Sequence, residues 1–444
     1  MYKLIGLVSL VVWLLPGLGT VRAEGAAVEI RHNQAVVDFP HTITFKLDLA
    51  EGSQVTQATL TYRVNRAGCL EANTAVNVTI DPEKPTELAW TWVMIRSGNP
   101  PPGAVVWWEW TLTDDQGRQT TTPRQEISLI DNRFNWRTVQ ADRIRLHWYL
   151  GEDVGLLLLD AAVEGLALLE EEMGINLQDD VQFYVYGSAR DMREAVLYVQ
   201  DWAGGVAFTQ YNVILMGVPP GIASGWGRRT ARHELAHLVV GQVGRSCVGG
   251  GRPNWLEEGL AVYAEGELDD AIRRDLQRAI RDNSFEPVRS LNGPFPAHGR
   301  EAGIAYSQSY SLVAFLLETY GQSPMQSLIL LLAEGAGYDA ALEQIYGFDT
   351  DGLEREWRSW LALPPRDFPA TPTPIVGAAV PTIAPLDVVR IMPTPPAAAA
   401  TPAPFAPAAE RQTAPICGGL LPLLILLPLL AAGSTAFVRR RRSR

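Results

Sequence analysis

His233, Glu234 and His237 stand in the order His-Glu-Leu-Ala-His, and Trp255-Leu256-Glu257-Glu258-Gly259 follows soon after. On a helix, residues four apart lie one above the other on the same face, so two imidazoles at that spacing can hold one metal ion. An acid one residue past the first His sits beside the open position of the metal and can take a proton from a bound water. A catalytic zinc has three protein ligands and an open fourth position. Glu258 is the obvious third, giving a His233, His237, Glu258 site for one Zn2+ with Glu234 as base. The short pattern alone fixes three positions and arises by chance on exposed helices. Its surroundings argue for a site. Ala231, Leu235, Leu238 and Val239 make an apolar stripe of helical period. The segment from Trp255 to Glu265 is also apolar and helical in period, and its acids are costly to bury unless something positive neutralises them.

The run HELAH, a spacer and then PNWLEEGLAVYAEG resembles the gluzincin zinc metallopeptidases, most closely the peptidase MA-like family. The resemblance covers roughly residues 140–362. It implies a thermolysin-like α+β domain that hydrolyses peptide bonds, with His233, His237 and Glu258 as zinc ligands and Glu234 as general base. Glu257 falls on a variable position and reads as a solvated or outer acid. Twenty residues separate His237 from Glu258, slightly more than in relatives, and the loop Gly249-Gly250-Gly251-Arg252-Pro253 has the composition to absorb the excess. The segment Tyr306–Gly321 resembles the family helix that begins with a catalytic Tyr, whose phenol donates a hydrogen bond to the oxyanion. Tyr306 is the matching position and Tyr310 the alternative one turn later; the plain reading is a pair of packing aromatics. Gln308 and Ser309 depart from the aminopeptidase form of that helix, and the Gly-x-Met-x-Asn strand of the aminopeptidases is absent, which points to an endopeptidase.

A metal-bound His usually gives its second ring proton to a carboxylate or carbonyl. Relatives often carry that acid one turn after the third ligand, where this chain has Val262. Glu265 is a candidate instead; the alternative is an ordinary exposed Glu at a helix end. Gly204–Phe208 resembles the family's edge strand, which binds extended substrate by backbone pairing; the alternative is an internal strand.

The elements that must position these residues can be read from period and punctuation. Residues 137–363 form the metallopeptidase domain. Strands are expected at Ile144–Leu150, Val181–Tyr186, Gly204–Phe208 and Asn212–Met216, and helices at Val154–Met173 and Ala189–Tyr198. After Glu258 the chain reads as helical over Leu268–Arg281, Tyr306–Tyr320, Pro324–Ala333 and Tyr338–Ile345. Asp351-Gly-Leu-Glu354 looks like a capping box opening a last helix. Residues 24–136 read as an all-β sandwich of the immunoglobulin or fibronectin type, because Leu60–Val64 and Val106–Leu112 alternate with period two and Asp114–Gly117 is a turn. Trp108 and Trp110 share one strand face and belong to its core.

The ends are not globular. Met1–Ala23 has Lys3, an apolar run and Val21-Arg22-Ala23 as a cleavage site, the form of a signal peptide, although Arg22 also suits an uncleaved anchor. Residues 364–415 are rich in Pro, Ala and Thr and form a semi-extended stalk, able at ~3.1 Å per residue to reach on the order of 150 Å. Residues 416–438 carry no charge and are long enough to span a bilayer, with the arginines of 439–444 on the cytoplasmic side. The expected location is therefore the cell membrane, single-pass, with the catalytic domain extracellular and a peptide or protein as substrate. Sorting and removal of the tail is the other reading of that segment. Setting aside Lys3, Arg22 and the five C-terminal arginines leaves 30 basic residues against 49 acidic ones, which argues against nucleic acid as a partner. Three Cys make no disulfide framework. The rival function is an inactive surface binding protein in which the sandwich does the work and the peptidase-like domain is a scaffold.

Overall fold

Strand alternation in the first hundred residues produces two antiparallel sheets. In the computed structural model, which describes residues 28–68, 72–196, 204–246, 251–296 and 299–367, the strands are β1 (Ile30–Asp38), β2 (Thr42–Leu49), β3 (Val55–Val64), β4 (Thr74–Val78), β5 (Glu87–Val93), β6 (Val105–Asp114), β7 (Gln119–Thr121) and β8 (Gln125–Ser128). One sheet runs β1-β2-β5 and the other β4-β3-β6-β7, with β8 also paired to β6. Alternate residues of β2, β3 and β6 point into one core, among them Phe45, Tyr62, Trp108 and Trp110. Phe45 on the first sheet meets Tyr62 at 5.4 Å and Trp108 at 5.5 Å on the second. Trp108 satisfies its buried N–H by donating to Asn33 Oδ1 at 2.8 Å. The turn at Asp114 closes with Gly117 in the left-handed region, at φ +77°.

The second half builds a mixed sheet under helices. Its elements are β9 (Arg137–Ala141), β10 (Ile144–Trp148), α1 (Val154–Met173), β11 (Val181–Tyr186), α2 (Ala189–Ala195), β12 (Gly205–Phe208), β13 (Val213–Gly217), α3 (Arg228–Val243) and α4 (Asn254–Ala264). Then follow α5 (Asp270–Asp282), α6 (Arg300–Tyr320), α7 (Gln322–Ala333), α8 (Tyr338–Tyr346) and α9 (Thr350–Trp360). The strand order is β12-β13-β11-β10-β9. The inner three are parallel, and both outer strands run antiparallel to their neighbours. Strands β11 and β13 are buried on both faces, as parallel strands covered on two sides must be. Phe183, Val185, Ile214 and Met216 enter the helical core. Their neighbours Tyr184, Tyr186, Val213 and Leu215 enter the core of the N-terminal sheets. The β-rich region therefore covers the back of this sheet while α1 and α3 cover its front.

Several local expectations differ, among them the end of α2, which stops at Ala195 because Val196 is extended. Helix α6 starts at Arg300 rather than at Tyr306, which places Tyr306 inside the helix. The cap of α9 is Asp349, whose side chain accepts from Gly352 N at 2.8 Å. Asp351 turns to Arg289 instead, at 2.5 Å, and Glu354 is buried, accepting from Val288 N at 2.9 Å and Arg366 Nε at 2.6 Å. A carboxylate needed as a buried acceptor cannot also fold back to its own helix start. No helix among the described residues is long and apolar enough to cross a membrane. The segment 1–23 expected to be a signal peptide, the expected stalk from residue 368 onward, the apolar segment 416–438 and the Arg-rich 439–444 lie outside the described residues, as do Cys69, Cys247 and the glycines 249 and 250.

Candidate active site

Helix α3 sets the first two corners of the site. His233 and His237, one turn apart, bring their Nε2 atoms to 3.2 Å from each other. Helix α4 delivers the third corner. Glu258 Oε2 lies 3.5 Å from His233 Nε2 and 3.6 Å from His237 Nε2. Among the described residues, these three form the group whose donor atoms could share a metal ion. A tetrahedral zinc with bonds of about 2.0–2.1 Å keeps its ligand atoms roughly 3.4 Å apart, the size of this triangle. Glu258 Oε2 is also buried without a hydrogen-bond partner, which for a carboxylate oxygen is costly unless a cation satisfies it. The donor set and its geometry thus fit zinc.

The approach of α4 to its neighbours depends on Gly259. A Cβ there would lie 2.5 Å from the Ser309 carbonyl oxygen and 2.6 Å from Val313 on α6. The glycine after the acid pair is therefore what allows α4 to sit on α6, bringing Glu258 and Tyr306 into one region.

Around the triangle stands a ring of supporting groups. Glu265, just past the end of α4, holds His233 Nδ1 at 2.9 Å and is buried. Of the two readings of this residue, the structure selects the partner of His233. Its own carbonyl accepts from Arg232 Nη1 at 2.8 Å, and Arg232 is in turn paired with Glu164 on α1. Glu257 faces away from the triangle, toward Arg252 Nε at 2.6 Å and His237 Nδ1 at 3.9 Å. Burial opposes charge on His233, His237, Glu257 and Glu258, but their pairs outweigh it. Burial lowers His233, yet Glu258 and Glu265 carry it up to about 9. Glu258 is held far below the usual carboxylate range by the two imidazoles, against its burial. Replacing Glu265 by Ala should leave the fold intact and weaken metal affinity by about 10–100-fold, read by competition with a chromophoric chelator. An unchanged affinity would show that Glu265 does not orient His233.

Glu234 shares α3 with the two His but points to the start of β12. It is nearly buried, and burial raises its carboxyl above the ordinary value. Gly205 makes room for it: a Cβ at that position would stand 2.7 Å from Glu234 Oε1. Sequence reading missed this glycine, although glycine inside a strand signals a close approach. Strand β12 is the outer strand of its sheet, which decides between the edge and internal readings.

A cavity of about 380 Å³ opens beside the triangle, and His233, Glu234, Tyr306, Gly205, Trp226 and Arg229 line it. A π-helical turn, Ala223–Gly227, runs into α3 and carries Trp226. Gly204 leaves space for that ring, since a Cβ there would meet Trp226 at 2.5 Å. Tyr306 reaches the cavity with its ring edge-on to Phe295, centroids 5.5 Å apart. Burial first, and then the charges of Glu258, Glu234 and Glu265, raise its phenol well above the usual value, so it stays a donor. Tyr310 does not line this cavity and stacks on Tyr263 at 5.8 Å.

Residues 161–363 match the family model of the Peptidase MA superfamily. Among solved structures, an M1 zinc metallopeptidase from Deinococcus radiodurans is 15% identical, covering 78% of this chain and 96% of its own, with a TM-score of 0.33. A polysaccharide deacetylase from Bacillus cereus is 8% identical, covering 38% of this chain and 53% of its own, at a TM-score of 0.21. A β-1,3-glucan-binding domain of carbohydrate-binding module family 56 is 14% identical, covering 22% of this chain and 95% of its own, at a TM-score of 0.16. No curated protein matches the sequence.

Proposed function

Residues 161–363 belong to the Peptidase MA superfamily, and from that premise we propose that the protein is a zinc-dependent endopeptidase held at the outer side of a membrane. The observation that carries this reading is the triangle of His233 Nε2, His237 Nε2 and Glu258 Oε2, with edges of 3.2, 3.5 and 3.6 Å, beside a cavity lined by Glu234 and Tyr306. His233, His237 and Glu258 hold the zinc, which when bound polarises the scissile carbonyl and acidifies water. Glu234 takes the proton of the attacking water and passes it to the leaving amine; its burial raises its basicity for that task. Tyr306 donates a hydrogen bond to the oxyanion of the tetrahedral intermediate. An extended peptide pairs with the outer edge of β12, whose backbone runs past Glu234.

The remaining parts of the chain serve that site. Residues 24–136 are an immunoglobulin- or fibronectin-type sandwich and 137–363 the catalytic domain. Residues 1–23 direct export, 364–415 form the stalk, and 416–438 cross the membrane with 439–444 inside the cell. The exported net charge supports peptide rather than nucleic-acid partners.

Metal analysis of the purified protein should find one zinc per chain, and a peptide-pool digest should reveal internal cleavage. A protein that takes up no zinc sinks the reading and leaves the surface-binding alternative. Replacing Tyr306 by Phe should lower kcat by about 10²-fold with zinc content and KM nearly unchanged, because one oxyanion donor is lost. A Tyr310→Phe variant that shows this loss instead would move the role one turn along α6.

A further inference from the structure

Three arginines crowd the start of α3, and two of them are structural. Arg228 donates to Glu164 at 2.6 Å and to the Leu157 carbonyl at 3.4 Å. Arg232 is shared between Glu164 and the Glu265 carbonyl. Both tie α3 to its surroundings. Arg229 differs. It lines the cavity that also holds His233, Glu234 and Tyr306. Its partner among the described residues is Asp269, at 3.0 Å from Nη2 to Oδ2. Asp269 is itself fixed, since it caps α5 by accepting from Ala271 N at 2.8 Å.

This arrangement holds a guanidinium at the cavity by one nitrogen and leaves its other nitrogens without a partner among the described residues. The donor fork of a guanidinium matches a carboxylate, which accepts two parallel N–H bonds. The pairing with Asp269 fixes the side chain beforehand, so little rotamer freedom remains to be lost on binding. Trp226, Val262 and Ile272 supply apolar parts of the lining, beside Thr230 and the acids Glu265 and Asp269, and apolar surface next to a charge-assisted hydrogen bond strengthens it. An apolar wall can take the stem of a substrate side chain while a guanidinium beside it meets the charged end.

We infer that Arg229 is a specificity-determining residue that selects substrates carrying a carboxylate in this cavity, either an Asp or Glu side chain near the cleaved bond or the carboxyl terminus of a short peptide. The inference rests on the peptidase reading, whose substrate class it names.

The test uses the full-length zinc-loaded chain carrying Glu234→Gln, so that binding is read without turnover. The probes are alanine-based octapeptides with Asp or Asn at each position in turn, each with a free or an amidated C-terminus. Binding is measured by calorimetry. The expected result is about tenfold tighter binding of Asp than Asn at one register, or of free over amidated termini; these two arms separate the side-chain source from the terminal one. Adding Arg229→Gln should collapse that ratio to about one, and Arg229→Glu should favour Lys at the same register. Zinc content reports folding; should Arg229→Gln lose zinc, Arg229→Lys carries the same comparison, with a reduced ratio expected because the fork is lost. Equal binding of Asp and Asn peptides and of free and amidated ones, or an unchanged ratio in the Arg229 variants, overturns the assignment. Failure of the peptidase reading shows separately, as a parent chain that cleaves none of the peptides while its binding preference persists.

Discussion

Glu234→Gln should retain one zinc per chain and lose peptide cleavage by about 10²–10⁴-fold, the range that a positioned general acid–base group contributes. The substitution is close to isosteric, so the amide occupies the space beside Gly205 that the carboxylate fills now, where the backbone leaves no room for a side chain. Neither His is disturbed, because the groups that face His233 and His237 are Glu265, Glu257 and Glu258. What disappears is a proton acceptor. Burial raises the Glu234 carboxyl more than the neighbouring imidazoles lower it, so its affinity for a proton moves toward neutrality, where a base works best. An amide in its place cannot take the proton at all. Metal analysis and a fluorogenic peptide assay on the same preparation separate the two properties. Cleavage at the parental rate with zinc bound would remove Glu234 from the mechanism.

Glu258→Ala should have the other large effect: loss of zinc, with affinity falling by more than the roughly 100-fold that removal of an orienting group costs. Two acids stand side by side, and Glu257→Ala provides the internal comparison. Only Glu258 turns its carboxylate to both imidazoles, at 3.5 and 3.6 Å. Glu257 is engaged by Arg252 at 2.6 Å and stands 3.9 Å from His237 Nδ1. Glu257→Ala should therefore keep zinc at full occupancy, with at most the weakening expected of an outer group. Zinc loss in Glu257→Ala together with retention in Glu258→Ala would shift the third ligand by one residue and overturn the assignment.

How much of this was readable in the chain follows from how local each feature is. His233 and His237 can be paired from sequence because a single helix sets their separation. Glu258 was readable because the Trp-Leu-x-Glu-Gly run resembles a known family, and no local spacing rule spans the twenty intervening residues. The boundaries of α1 and β11 were legible from apolar period alone and match residue for residue. The start of α6 was not, because Arg300–Ala305 precede the first residue of the recognised motif and were not given to the helix. The cap of α9 was misplaced because Glu354, which has the spacing of a capping box, is taken by Val288 and Arg366 from elsewhere in the fold.

The alternatives that the sequence left open were settled by contacts between elements. Glu265 could have been a solvated acid; the packing of α4 on α3 sets it against His233 at 2.9 Å. The strand at Gly205 could have been internal; the strand order puts it at the edge. Tyr306 and Tyr310 are one turn apart and chemically identical, and only the cavity distinguishes them. What Gly205 and Gly259 make room for could not be read from the chain, because a missing Cβ matters only when another chain segment arrives at that spot. The apolar runs of β11 and β13 announced burial on both faces without saying what covers them, and the answer is the N-terminal β region on one side and helices on the other. The sequence by itself determined the pairing of His233 with His237 and the period of the elements around them, since both follow from backbone geometry within a few residues. Tertiary structure decided which acid supports which His, and which Tyr and which Arg line the cavity, since those depend on distances across elements that only packing sets.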